Sequence, residues 1–247
     1  MTNGRPMRMR PRIRWIFPLL AAAVLAAACS KNEAPAPAAA PAAPAADPRL
    51  TKALELYRQL QQEKNWELAA PIGREIVEKY PGTPAAKEVQ ETLTDTSAKA
   101  DAIVTRRRLE RLWIYQSGKE SGGEQNTASI YSSDASDRDR VRLILRRHSA
   151  WGQSAYLFGS GKGFECRGTC TLSARFDDQP QKLKAYLPPT GEPALFIEDD
   201  KAFIAKLTKA QKITVDVTEK GKAPRTLTFE VGGFDPAKFP PLAKGRK

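Results

Sequence analysis

Arg140-Val141-Arg142-Leu143-Ile144-Leu145-Arg146-Arg147 sets the character of the larger part of the chain. Val141, Leu143 and Leu145 fall on one parity, and Arg140, Arg142 and Arg146 on the other. Successive side chains of a strand point to opposite faces, so this period of two predicts a strand with one apolar and one charged face. The alternation returns in Ile213-Thr214-Val215-Asp216-Val217, and again where Leu227 and Phe229 alternate with Thr228 and Glu230. Shorter runs of the same kind predict strands over 112–116, 128–132, 140–146, 154–158, 163–166, 170–176, 183–187, 194–197, 212–217 and 226–231. Many short strands separated by turn residues argue for an antiparallel β-sandwich or barrel. One helix interrupts them: Asp199 or Asp200 caps it, Phe203 and Leu207 face inward, and Lys206 and Lys209 suit the negative end of its dipole.

Before Arg111 the period is 3.6. Leu50, Ala53, Leu54, Tyr57 and Leu60 keep the three-and-four spacing of one buried helix face. Asn65 can cap a second helix over about 66–80, with Leu68, Ala69, Ile72, Ile76 and Val77 inward. Pro71 either kinks that helix or delays its start to Ala69, because proline removes a helical hydrogen bond. Thr83-Pro84 supplies a cap and a first-turn proline for a third helix through Val89, Leu93 and Ile103 towards Arg108. The fold class is therefore α+β: about three helices over 49–110, a β-rich domain over 111–240 and a basic tail over 241–247. Trp66-Glu67-Leu68-Ala69, followed by Tyr80-Pro81-Gly82-Thr83-Pro84 and an Ala-rich helix, resembles a tetratricopeptide-type hairpin. The match spans about one repeat where a stable array needs about three. A peptide-binding repeat and a plain helical hairpin packed on the next domain both stay open.

At the N-terminus five arginines and no acid (Arg5, Arg8, Arg10, Arg12, Arg14) precede an apolar run from Trp15 to Ala28. That order is the secretory signal pattern, and the run is shorter than the roughly 20 residues a membrane-spanning helix needs. Leu25-Ala26-Ala27-Ala28-Cys29 resembles the bacterial lipoprotein signal, departing from it in having Ala26 where that family usually has leucine. The resemblance implies a signal peptide over 1–28 and acylation of Cys29 as the first mature residue. It implies an outer-membrane lipoprotein facing the periplasm of a Gram-negative bacterium, since Ser30 rather than aspartate follows the cysteine. Residues 29–48, mostly Ala and Pro after Glu33, form a tether that favours extended polyproline II and cannot bury a core.

Losing residues 1–28 lowers the formal charge from +12 to +7, since five arginines go and no acids do. Behind a signal peptide no nucleic-acid partner is expected. The anions within reach are phospholipid head groups, lipopolysaccharide or an acidic protein, and a solvated basic face explains the same charge. With Cys29 assigned to lipid, Cys166 and Cys170 form an even pair in an exported chain, which reads as a disulfide. If Arg167-Gly168-Thr169 is a three-residue hairpin loop, the two cysteines oppose each other with Phe164, Leu172, Ala174 and Phe176 on the same face.

Phe164-Glu165-Cys166, the run Cys170 to Asp177, Ala194-Leu195-Phe196-Ile197, Phe203 to Leu207 and Phe229 to Phe234 together resemble the type VI secretion-associated TagO/VasI-like periplasmic proteins. The resemblance covers roughly 110–240 and implies no catalytic set.

Chemistry is sparse. Gly159-Ser160-Gly161-Lys162-Gly163 lacks the order of a phosphate loop and reads as a glycine-rich turn. With His148 the one histidine and no second cysteine pair, neither a metal site nor a cofactor is expected. His148 reads as a surface histidine at a strand end, Glu198-Asp199-Asp200 as helix capping, and Trp113, Tyr115 and Tyr131 as core. Trp151-Gly152 reads as an exposed loop. Arg146, Arg147, His148 and Trp151 supply the charge and aromatic surface of a binding site. The expected function is a non-catalytic envelope lipoprotein that binds or supports another envelope component. The alternative is an envelope hydrolase built from carboxylates or serines distant in sequence.

Overall fold

A computed structural model describes residues 47–133 and 139–242. The predicted signal peptide, Cys29, most of the tether and the last five residues of the basic tail lie outside the described residues. The expected helices are present as α1 (Pro48–Gln62), α2 (Trp66–Lys79) and α3 (Pro84–Glu110). Asp47 caps α1 by accepting from the Arg49 N–H at 2.8 Å, and Thr83 caps α3 by accepting from the Ala86 N–H at 3.2 Å. Pro71 is carried inside α2, which starts at Trp66 rather than at Ala69. Tyr57, Leu60, Ala69, Ile76, Ala86 and Val89 form the helices' own apolar cluster. Leu68, expected inward, is exposed instead: one residue before Ala69, it is turned off the buried stripe.

Nine of the ten predicted strands form: β1 (Ile114–Glu120), β2 (Gly123–Tyr131), β3 (Arg142–His148), β4 (Gly152–Phe158), β5 (Thr169–Phe176), β6 (Gln179–Tyr186), β7 (Ala194–Ile197), β8 (Ile213–Val217) and β9 (Arg225–Phe229). They make one antiparallel sheet in the order β1-β2-β3-β4-β7-β6-β5-β8-β9. The chain is α+β as expected, with its strands in a single open sheet. That sheet is strongly curled, because inner-face residues from both ends, Trp113 and Ile130 with Leu227 and Phe229, share one core cluster. The Trp113 indole N–H donates to the Val231 carbonyl, and the Ser133 N–H to that of Thr228, so the two ends of the sheet nearly meet. Helix α4 (Asp200–Leu207) is capped by Asp199, which accepts from the Ala202 N–H, and buries Phe203 and Leu207 in the same core.

Residues 163–166 do not form the tenth strand. β6 takes one edge of β5 along its length and β8 takes the other over Ala174–Phe176, while the segment 163–166 lies against the chain that follows β8: the Glu165 N–H donates to the Thr218 carbonyl, the Lys220 N–H to that of Gly163, and one isolated bridge joins Phe164 to Glu219. Cys166 and Cys170 are nevertheless joined as a disulfide, with Cα atoms 5.6 Å apart. The bond closes a bend ahead of β5 rather than a hairpin, and it packs against the core as its parity requires.

Candidate functional site

Strand β3, with its alternating apolar and charged residues, positions the site. Leu143 and Leu145 are fully buried in the core cluster, while Arg142, Ile144, Arg146 and His148 take the opposite, outer face. Strand register extends Ile144 into a row across six strands: Ile114, Ser129, Ile144, Tyr156, Phe196 and Tyr186 are successive cross-strand partners on β1, β2, β3, β4, β7 and β6. This belt is apolar except for Ser129. Tyr156 stacks on Phe196 with ring centroids 4.7 Å apart and planes at 20°, and Tyr186 stacks on the same ring at 5.6 Å and 25°.

One arginine stands on each side of the belt, two residues from Ile144 in either direction. Arg146 has its guanidinium carbon 5.1 Å from the Trp151 ring, 5.4 Å from Tyr156 and 6.0 Å from Phe196. Its Nε donates to the Ser154 hydroxyl at 3.3 Å. Arg142 lies 5.8 Å from the Tyr131 ring, its cross-strand neighbour, and its buried Nε has no hydrogen-bond partner. Among the described residues neither guanidinium forms an ion pair. An aromatic face attracts a cation electrostatically while leaving its N–H edges free to donate. Burial raises the pKa of the Tyr156 phenol, and the fields of Arg146 and then Arg142 oppose that rise.

Trp151 is placed by the turn between β3 and β4. Gly152 has φ +76°, the left-handed conformation that ends a three-residue hairpin loop of Ser149, Ala150 and Trp151. His148 then fixes the indole. Its Nδ1 accepts from the Ala150 and Trp151 N–H groups at 3.1 and 3.2 Å, so Nε2 carries the proton and donates to the Glu120 carbonyl at 2.9 Å. The imidazole stacks on Trp151 at 3.8 Å and 13°. A continuous stack therefore runs His148, Trp151, Arg146, Tyr156, Phe196, Tyr186.

The structure brings together Arg146, His148 and Trp151 and separates Arg147 from them. Arg147 has the inner parity: its Nη1 donates to the Phe239 carbonyl at 2.7 Å and its guanidinium lies 4.4 Å from the Phe239 ring. It holds down the C-terminal segment. His148 is also corrected, being 3 % exposed, because its ring is enclosed by Trp151 and the β1–β2 hairpin. Tyr131, expected in the core, is on the outer face and 42 % exposed, whereas Trp113 is buried as expected. Arg142, Tyr156, Phe158, Tyr186 and Phe196 escaped sequence reasoning. The available signal was β4 itself, where Ala155 and Leu157 are apolar on one parity and Tyr156 and Phe158 aromatic on the other.

The other half of the same outer face is built differently. Over β5, β6, β8 and β9 it presents Ser173, Arg175, Lys182, Thr214, Asp216 and Thr226 along a shallow groove. These satisfy each other: Lys182 donates to Ser173 at 2.9 Å and Thr226 to Asp216 at 2.6 Å. Every exposed large apolar side chain that the described residues place on the sheet or its turns, Ile114, Tyr131, Trp151, Phe158 and Tyr186, lies on the belt half. Among the described residues no cluster of three His, Cys, Asp or Glu side chains is placed to hold a metal ion, and no helix is long and apolar enough to cross a membrane.

No family model matches this chain, and no curated protein does. Among solved structures, invasion associated protein B from Bartonella henselae is a distant structural neighbour. It has a TM-score of 0.33 and 19 % identity over 51 % of this chain and 87 % of its own.

Proposed function

We propose that this chain is a non-catalytic envelope lipoprotein that binds another envelope component through the belt half of its sheet. The observation that carries the reading is the pair of guanidiniums, each held over aromatic rings without an ionic partner, set in the exposed aromatic surface of the sheet. Trp, Tyr and Arg are the residues from which interface hot spots are built. A solvated face would resemble the polar half instead.

The N-terminal sequence supports the location. The basic, apolar and small-residue order ending at Cys29 fits a lipid anchor, Ser30 fits outer-membrane sorting, and the Ala/Pro composition of the stretch that follows fits a tether. The resemblance to TagO/VasI-like proteins, which implies no catalytic set, fits a non-catalytic role. Two experiments test the reading. Arg146→Glu combined with Trp151→Ala should abolish capture of the envelope component while the circular dichroism spectrum is kept; retained capture places the site elsewhere. Cys29→Ser should release the protein from the membrane fraction, and a variant that stays bound and equally processed removes the lipid anchor.

A further inference from the structure

The belt half is covered at its centre and exposed at its rim. Ile144 and Ser129 are buried, while Tyr131, Phe158 and Trp151 project. The sheet curls with its inner face on the core, so this outer face is convex. Curling bends a sheet across its strands, and the straightest line over the face therefore runs along β3 and β4. At one end of that line Tyr131 and Phe158 stand on either side of Arg142 as its cross-strand partners. At the other end Trp151 stands beside Arg146, just past the last residue of β3. The two aromatic–cation clusters are about 20 Å apart, the length of the six residue steps from Arg142 to His148. A protein partner reaching both would need a concave face with roughly 800 Å² of matched surface. A fluid surface needs no matching shape.

We propose that the belt half lies on the anionic phospholipid surface of a membrane. The inference rests on the binding role proposed for this face and names what the face binds. Trp and Tyr settle at the headgroup level of a bilayer, where the ring is in apolar surroundings and its polar edge is wet. The headgroup region, about 5–10 Å deep, takes up the fall of the curve towards Ile114 and Tyr186, each two strands from the crest. Guanidiniums held over rings keep their N–H edges free for phosphate oxygens. Among the described residues, the outward side chains of β1 to β4 set Arg142 and Arg146 against one acid, Glu120. The tail adds charge at the same place. Pro241 and Leu242 share a cleft with His148, Ser149 and Gly152 of the β3–β4 turn. The five residues that follow reach at most about 17 Å, so Lys244, Arg246 and Lys247 stay within that distance of the cleft. Each cation near an anionic leaflet strengthens binding about fivefold.

The test places the photocrosslinking residue p-benzoylphenylalanine at Ala150, the exposed neighbour of Trp151, in the full chain expressed in cells, and at the exposed Arg175 on the polar half as a control. The adducts are then digested and identified by mass spectrometry. The expected adduct at Ala150 is a phospholipid, with phosphatidylglycerol and cardiolipin enriched over phosphatidylethanolamine. Its yield should fall at least tenfold in Arg142→Gln/Arg146→Gln, and the Arg175 position should give none. A protein adduct, a second copy of this chain included, or a glycan adduct overturns the membrane contact while leaving the face a binding surface. Phospholipid adducts that are equal at the two positions, unselective for acidic headgroups or indifferent to the arginines overturn it as well. No adduct at Ala150 or, in a parallel variant, at Phe158 overturns the membrane contact and the binding reading together.

Discussion

Replacing Tyr156 with leucine should separate the stack from the core that lies beneath the sheet. Leucine keeps apolar cover over the belt but removes two interactions: the ring pair with Phe196 at 4.7 Å and the contact with the Arg146 guanidinium at 5.4 Å. An aromatic pair of that geometry contributes about 1 kcal/mol beyond burial, and a partly exposed cation–π contact about 0.5–1 kcal/mol. The expected loss in Tyr156→Leu is therefore about 2 kcal/mol, well below the roughly 3–5 kcal/mol that truncating a core aromatic to alanine costs. Urea unfolding followed by far-UV circular dichroism measures it, with an unchanged denaturant slope showing that the same surface is exposed. Arg146→Gln and the double variant complete a cycle. Its coupling energy should be about 0.5–1 kcal/mol, the range of a partly exposed cation–π contact. Additivity within about 0.3 kcal/mol would refute the claim that the rings hold the arginine in place.

Four further outcomes follow from particular contacts. Replacing Cys166 and Cys170 by serine should cost about 2 kcal/mol, the loop-entropy value for so short a closure, and the unreduced wild-type peptide should have the mass of a disulfide. Gly233→Ala should destabilise by about 1–3 kcal/mol, because a Cβ there would run into the backbone of Leu109 and Glu110 at the end of α3; thermal unfolding reads the shift. Arg108 holds the Glu230 carboxyl below its ordinary range through a two-pronged pair of 2.7 and 3.0 Å. The stability this adds is present above the unfolded glutamate value and lost as pH falls through the folded one. Glu230→Gln should thus cost under about 1 kcal/mol at pH 7 and nothing near pH 2, as measured by urea unfolding at both pH values, because the pair is partly exposed.

Strands 8 and 9 were the most legible part of the fold, because one face of each is buried and the other solvated, giving a clean period of two. The helices were legible through Thr83-Pro84 and the spacing of Tyr57 and Leu60. The segment 163–166 misled because its residues suit a strand, while its partner is the chain after β8, which gives it only the single bridge from Phe164 to Glu219. At the site, Arg146 and Trp151 were visible from charge and turn chemistry. Arg147 was grouped with them by adjacency, yet neighbours on a strand point to opposite faces, and Arg147 turns to Phe239. Tyr186 and Phe196 joined the site only through the strand order β4-β7-β6, which brings together residues far apart in the chain. No local pattern encodes that adjacency.

The central claim is that the belt half of the sheet is covered by a partner in the envelope and the polar half is not. Oxidative footprinting of the full chain, in intact envelopes and after purification, measures this at each exposed side chain. Trp151, Tyr131, Phe158 and Tyr186 should be oxidised at least several-fold more slowly in envelopes than in the purified protein. Leu56 and Val104, exposed on the helices, serve as internal controls and should react alike in both. Equal oxidation of Trp151, Tyr131, Phe158 and Tyr186 in the two preparations would contradict the account.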